Sequence, residues 1–302
     1  MSLGLPYMGS KRKLAPAIVD KILFDYPDTK HVYDLFGGGG AISFEFAKRG
    51  LDVTYNELNS AVVALLRDVM ENGITDKYYQ WVSREMFDAH KVGNDWMGGF
   101  CQCIWSFGNS QKSYLFGNDI EPLKKLGHEV IVDKNENSLM ALSKLLGIEI
   151  PIEVMHRETV NDRRLAFRLF LSRCQNRFDL EQLERLEQLQ RLGKKFTILN
   201  GSYADVKIET PIDSTVIYLD PPYENTAKYK ECLIHSELKA WIDASPYTIY
   251  LSSYEYDMPC VLEMEHRSTL SATKNDKKVI EKLFCNKPKH DLRQQDFFKN
   301  IG

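Results

Sequence analysis

Read from the N-terminus, the apolar positions switch between a helical and a strand period. The first segment, Leu3 to Phe24, carries Lys11, Arg12 and Lys13 and then an amphipathic helical pattern. HVYDLF is a short apolar run, and the four glycines Gly37 to Gly40 follow it. AISFEFAKRG then reads as a helix closed by Gly50, LDVTYNE as a second strand, and Asn59 to Val69 as a second helix. Strand, glycine loop, helix, strand, helix is the opening of a doubly wound α/β sheet. Between about residues 73 and 194 the pattern changes. Gly93 to Gly117 mixes Gly, Asn, Ser and aromatics, which predicts irregular loops around a small core of Trp96, Phe100, Trp105 and Phe107. Asp133 to Leu146 predicts a polar helix. Asn161 to Leu192 predicts a strongly helical segment with one packed leucine stripe. After Gly193 come KFTILN, STVIYLD and YTIYLSS, three β-branched and aromatic runs that predict buried parallel strands. The sheet is therefore expected in two pieces, 1–74 and 195–302, interrupted by a mainly helical insertion, 75–194.

Two motifs in the sheet pieces carry chemistry. The first is Asp34-Leu35-Phe36-Gly37-Gly38-Gly39-Gly40 at the end of the first strand. Glycines there let a ligand approach the backbone, and the helix that follows offers free N–H groups. Glu57 lies twenty residues past Gly37, where a carboxylate can accept both hydroxyls of a ribose or cap the helix near Asn59. Together they point to an adenosine-containing ligand. A P-loop is excluded: Gly4 and Gly9 have the spacing, but Ser10 and Lys11 stand in the wrong order and no strand precedes them. Ile42 stands where a dinucleotide fingerprint needs a small residue, which weakens that reading.

The second motif is Asp220-Pro221-Pro222-Tyr223 at the end of STVIYLD. The prolines stiffen the turn, so the Asp220 carboxylate and the Pro221 carbonyl form an acceptor pair. Such a pair suits an exocyclic amino group with two hydrogens, and Tyr223 offers a face for stacking a planar base.

With these motifs in this order, the sequence resembles the Dam-like DNA adenine-N6 methyltransferases, which use S-adenosylmethionine. The resemblance rests on Pro6 to Lys11, Asp34 to Gly40, Glu57-Leu58-Asn59 (the family often has aspartate first), Asn200 to Asp205, the DPPY and SSYEYDMP. It covers roughly residues 5 to 75 and 195 to 285. It implies a Rossmann-like S-adenosylmethionine-dependent methyltransferase sheet with an inserted target-recognition domain. The implied reaction is methyl transfer to N6 of an adenine flipped out of double-stranded DNA. Tyr7 and Lys11 would lie against the methionine end of the cofactor. Asp34, Phe36, Gly37 and Gly39 would border it, and Glu57 would hold its ribose. Ser202, Tyr203 and Asp205 would line the adenine pocket. Asp220 would touch both cofactor and target amine, with Pro221, Pro222 and Tyr223 completing the catalytic motif. Cytosine-N4 of DNA and RNA stay open as substrates, although RNA enzymes typically carry asparagine in place of Asp220. A silent nucleic-acid-binding protein would have no use for the cofactor motifs.

Composition narrows the setting. The chain has 302 residues, 43% hydrophobic and 27% charged, which fits a globular protein and excludes collagen-like, coiled-coil and disordered classes. No apolar run nears the roughly 20 residues of a membrane helix. MSLGLPYMGSKRK lacks the apolar stretch of a secretory signal. The six cysteines form no CxxC pair and read as free thiols rather than a metal site. The expectation is a cytoplasmic enzyme, bacterial or phage-encoded, without membrane, metal or obligatory protein partner; a monomer suffices. The net charge of −3 gives no global attraction to DNA. Binding must use a local patch, and Asn161 to Lys195 holds nine cationic side chains against five acidic ones. Arg164 and Arg168 are expected to meet phosphates there. Asn109, Gln111 and Lys112 are expected to contact DNA, since Asn and Gln can read base edges.

Overall fold

The computed structural model describes residues 3–192, 196–222, 234–267 and 278–289. The chain divides into two compact units, one of 1–4, 10–60 and 194–302, the other of 5–9 and 61–193.

The first unit is built on a sheet of β1 (His31–Asp34), β2 (Asp52–Glu57), β3 (Thr197–Asn200), β4 (Thr215–Leu219), β5 (Thr248–Ser253), β6 (Cys260–Arg267) and β7 (Lys278–Cys285). Its order is β3-β2-β1-β4-β5-β7-β6. The first five strands are parallel, and β7 runs antiparallel to both β5 and β6. Helices α1 (Ala15–Asp25) and α2 (Ala41–Lys48) precede and follow β1. The helices between β2 and β3 are α3 (Ser60–Asn72), α4 (Arg84–His90), α5 (Trp96–Ile104), α6 (Glu121–Ile131), α7 (Glu136–Leu146), α8 (Val160–Arg173) and α9 (Glu181–Gln190). Helix α10 (His235–Ala244) precedes β5.

Both sheet faces are covered, which is why the strands read as unbroken apolar runs. Val32, Val216, Tyr218 and Tyr250 pack with Ile18, Val19 and Ile22 of α1 and Phe46 of α2. The alternate residues Tyr33, Ile217, Leu219, Ile249 and Leu251 pack with Leu238 and Ile242 of α10. β3 departs from expectation: its residues are half-buried or exposed because it is the edge strand, a position that KFTILN does not reveal. The β6–β7 hairpin was not foreseen either.

In the second unit, α5 lies inside the stretch expected to be irregular. Asp95 caps it, its side chain accepting from the Gly98 N–H at 2.8 Å. The glycines that suggested a loop serve close packing instead: a Cβ on Gly99 would stand 2.1 Å from the Ala61 carbonyl oxygen. Trp96, Phe100 and Trp105 do join one aromatic core, with Tyr78, Trp81, Tyr114 and Phe116. Phe107 does not; it is 67% exposed. The single helical segment expected over 161–192 is α8 and α9, separated by a turn in which Gln175 has φ +58°. The second unit begins at Ala61 rather than near residue 75, since the body of α3 packs with it. No helix of the described residues is long and apolar enough to cross a membrane.

The glycine loop is set by one side chain. A Cβ on Gly37 would fall 2.1 Å from the ring of Tyr55, whose hydroxyl donates to the Gly38 carbonyl at 2.7 Å. Gly40, at φ +75°, takes the left-handed conformation that turns the chain into α2. Gly37→Ala is expected to lower stability by about 1–3 kcal/mol through overpacking. Gly117→Ala, with open space around its Cβ, should change it by less than about 0.5 kcal/mol. Thermal or denaturant melting of the two variants checks this, and equal effects would contradict the packing argument.

Candidate active site

β1, β2 and β4 are parallel, so Asp34, Glu57 and Asp220 reach the same edge of the sheet. The strand order reverses between β1 and β4, and a ligand crevice of an open α/β sheet forms at such a point.

Lys11 is the buried cation of this edge, 7% exposed. Its Nζ stands 2.9 Å from Asp220 Oδ1 and 3.1 Å from Glu281 Oε1. Burial alone would lower its pKa, but the two carboxylates outweigh burial and raise it. Glu281, on β7, escaped the sequence reading. KVIEKLFC carries no motif, and only the pairing of β7 beside β5 brings this glutamate to Lys11.

Asp34 is buried. Its Oδ2 accepts from the Ser43 hydroxyl at 2.7 Å, while Oδ1, also buried, has no hydrogen-bond partner. Burial, helped by the charges of Asp220 and Glu57 and opposed by the Ser43 hydrogen bond, pushes its carboxyl up to about 7. Glu57 accepts the Gly38 N–H on one oxygen and the Asn59 N–H on the other, each at 2.8 Å. Burial raises its pKa, and these N–H groups partly hold it down. Glu57 thus performs the capping weighed from sequence and also ties down the glycine loop. Each carboxylate oxygen can accept a further donor.

The remaining residues fall as follows. Gly37 and Gly39 are in the loop. Gly4, at φ +129°, lies against it so closely that a Cβ would stand 2.9 Å from the Gly39 carbonyl, a contact not foreseen. Asn200 Nδ2 donates to the Glu57 carbonyl at 2.7 Å, which brings the 200–205 turn beside Glu57. There Tyr203 stacks on Phe36 at 5.2 Å, and Ser202 Oγ accepts from the Ala204 N–H at 3.3 Å. Asp205 is exposed. Tyr7 belongs to the second unit, and Tyr223 lies outside the described residues. A cavity of about 780 Å³ opens beside Pro221 and Pro222, lined also by Ser253, Tyr254 and Tyr256.

The expected DNA contacts divide. Asn109, Gln111 and Lys112 sit on a surface loop whose root is closed by a bridge between Ser106 and Tyr114. Arg164 corrects the phosphate-patch expectation. It is 2% exposed, with Nη1 3.1 Å from Asp179 and Nη2 3.0 Å from Glu187, and so braces α8 against α9. Arg163 is likewise buried, donating to the carbonyls of Arg157 and Glu158. Arg185 donates to the carbonyls of Ile104 and Ser106 at 2.7 and 2.8 Å. Arg168, 47% exposed and 3.3 Å from Asp179, keeps a surface position. Arg163, Arg164 and Arg185 are thus internal framework, while Arg168, Arg173, Arg177 and Arg191 are exposed.

The reversed seventh strand and the acidic residues at the β1–β4 switch point fit a Rossmann-like methyltransferase fold. The family model for D12 class N6 adenine-specific DNA methyltransferase matches residues 7–95 and 154–287, and the chain belongs to that family. It is an adenine-specific DNA methyltransferase, which sets aside cytosine-N4, RNA and the silent binding protein. No curated protein matches the chain.

Asp34 gives the site a pH signature. Its folded pKa lies above that of an unfolded aspartate, so between about pH 4 and about 7 the folded state keeps a proton that the unfolded state has lost. Stability from this group falls as pH rises through that window. Asp34→Asn should therefore gain stability relative to wild type by on the order of 3 kcal/mol from pH 4 to pH 7 and then level off. Denaturant melts across that range check it; parallel curves for the two proteins would refute the assignment.

Proposed function

We propose that the chain transfers a methyl group from S-adenosylmethionine to N6 of an adenine flipped out of a specific DNA site. The observation that carries this reading is the Asp220 carboxylate, held by Lys11 at the end of β4 and followed by Pro221-Pro222 beside an open cavity.

The residues fit that cofactor. S-Adenosylmethionine carries a sulfonium, an ammonium and one carboxylate, a net cation; Asp220 and Glu281 flank Lys11, and Asp34 and Glu57 share the same sheet edge as Asp220. Asp34 Oδ1 is a buried acceptor without a donor. Glu57 keeps acceptor capacity for the two hydroxyls of a ribose, and Phe36 and Tyr203 would offer an aromatic wall. Tyr7, Ser202 and Asp205 complete the proposed cofactor set. When bound, the cofactor supplies an electrophilic methyl group on a good leaving group.

The rest is done by the protein. An adenine inside a duplex is out of reach, so the base enters the cavity beside Pro221 and Pro222. Tyr254 and Tyr256 bring aromatic faces to that cavity, in addition to the proposed stacking role of Tyr223. The Asp220 carboxylate and the Pro221 carbonyl accept the two amino hydrogens. That draws the N6 lone pair out of the ring and aims it at the methyl group. The same carboxylate can then take the proton released from N6. Positioning supplies most of the acceleration. The second unit reads the target through Asn109, Gln111 and Lys112, with Arg168 on a phosphate.

Asp220→Ala should keep its fold and lose at least on the order of 10²-fold in methyl transfer. The assay is labelled S-adenosylmethionine with unmethylated genomic DNA, followed by nucleoside analysis; N6-methyladenine is expected. Label on cytosine-N4, or an active Asp220→Ala, would overturn the reading. Lys112→Ala should weaken DNA binding and reduce the slope of log affinity against log salt by about 1. An unchanged slope would remove Lys112 from the DNA surface.

A further inference from the structure

We propose that Glu281 is a positioning residue for methyl transfer: it shares the charge of Lys11, so that Asp220 presents an undiminished carboxylate to the cationic donor and the target amine. This rests on the cofactor reading above.

The argument starts from what Lys11 needs. A buried ammonium requires one good anionic partner, and Asp220 at 2.9 Å is one. A second buried carboxylate adds its own desolvation and repels Asp220. Stability alone would therefore favour an apolar side chain at position 281, in line with its buried β7 neighbours Leu283 and Phe284. The chain has instead a buried glutamate whose Oε1 lies 3.1 Å from Lys11 Nζ. With Lys11 paired to Asp220 alone, the group is neutral. With Glu281 it carries one net negative charge. That charge is felt in the cavity: the Tyr254 hydroxyl has its pKa raised first by burial and then by Glu281, with Lys11 opposing. Tyr254 lines the same space as Pro221 and Pro222. The residue thus trades stability for a negative potential where the proposed reaction brings a sulfonium.

Charge discrimination tests this apart from catalysis. S-Adenosylmethionine is cationic at sulfur, and S-adenosylhomocysteine is its neutral thioether. Calorimetric titration of the full chain at neutral pH with each ligand should show Glu281→Gln weakening S-adenosylmethionine about tenfold. S-Adenosylhomocysteine should change by less than about twofold, with the melting temperature equal to wild type or higher. A purely structural role predicts a lower melting temperature and equal loss for both ligands. That result, or no change for either ligand, would overturn the proposal. If glutamine at 281 prevents folding, Glu281→Asp keeps the charge on a shorter side chain and must keep the wild-type preference for the cationic ligand. Loss of that preference with the charge present would also overturn it. Wild type binding neither ligand would sink the cofactor reading, and this inference with it.

Discussion

Lys11 carries a full charge into a place that water barely reaches, and much of the first unit is arranged around that fact. The ammonium is tolerable because Asp220 pairs with it, and Glu281 stands at 3.1 Å as a second carboxylate. These three residues come from an N-terminal segment, the end of β4 and the antiparallel β7. Their meeting therefore requires the whole sheet, including the hairpin that sequence reading did not anticipate. Removing Lys11 leaves two buried carboxylates without their cation, whereas removing Glu281 leaves the Lys11–Asp220 pair in place. The interaction thus links the fold to the chemistry: the carboxylate proposed to grip the target amine is also a partner that makes Lys11 bearable.

The glycine loop is a second constraint, of shape rather than charge. Tyr55 fills the space a Gly37 side chain would need, and Gly4 presses on the loop at Gly39. Glu57 then fastens Gly38 to Asn59 through one carboxylate. The loop is held before any ligand arrives. Preorganisation of this kind lowers the entropy lost on binding. Glu57 can be both the structural cap and the proposed ribose acceptor, since its oxygens retain acceptor capacity.

Much of this was legible in the chain. The glycine loop, Glu57 and the DPPY are contiguous or regularly spaced, because each sits at a strand end and the strands are short and apolar. What stayed hidden depends on contacts across the sequence. Glu281 lies 61 positions from Asp220 in an unremarkable strand. The edge position of β3 is a property of the sheet, not of KFTILN. Gly98 and Gly99 signalled a loop because close helix packing and a flexible turn use the same residue. Arg163 and Arg164 lie in the basic segment, and Arg164 looked like a phosphate contact because periodicity gives no sign of which helix face meets another element. The partners of Arg164, Asp179 and Glu187, lie in the turn before the next helix and in that helix.

The internal use of these arginines sharpens the electrostatics of the proposed reaction. DNA is a polyanion, and the crevice at β1 and β4 is lined by carboxylates with Lys11 already paired. Phosphates are repelled from such a crevice, while a cationic donor is drawn in. Only a neutral group can come to Asp220 from the nucleic acid, and a base is the neutral part of a nucleotide. Taking the base out of the stack brings it forward while its phosphates stay behind. In the proposed reaction, the acidity that makes this surface a poor place for DNA is then what would allow one base, and not the backbone, to meet the methyl group.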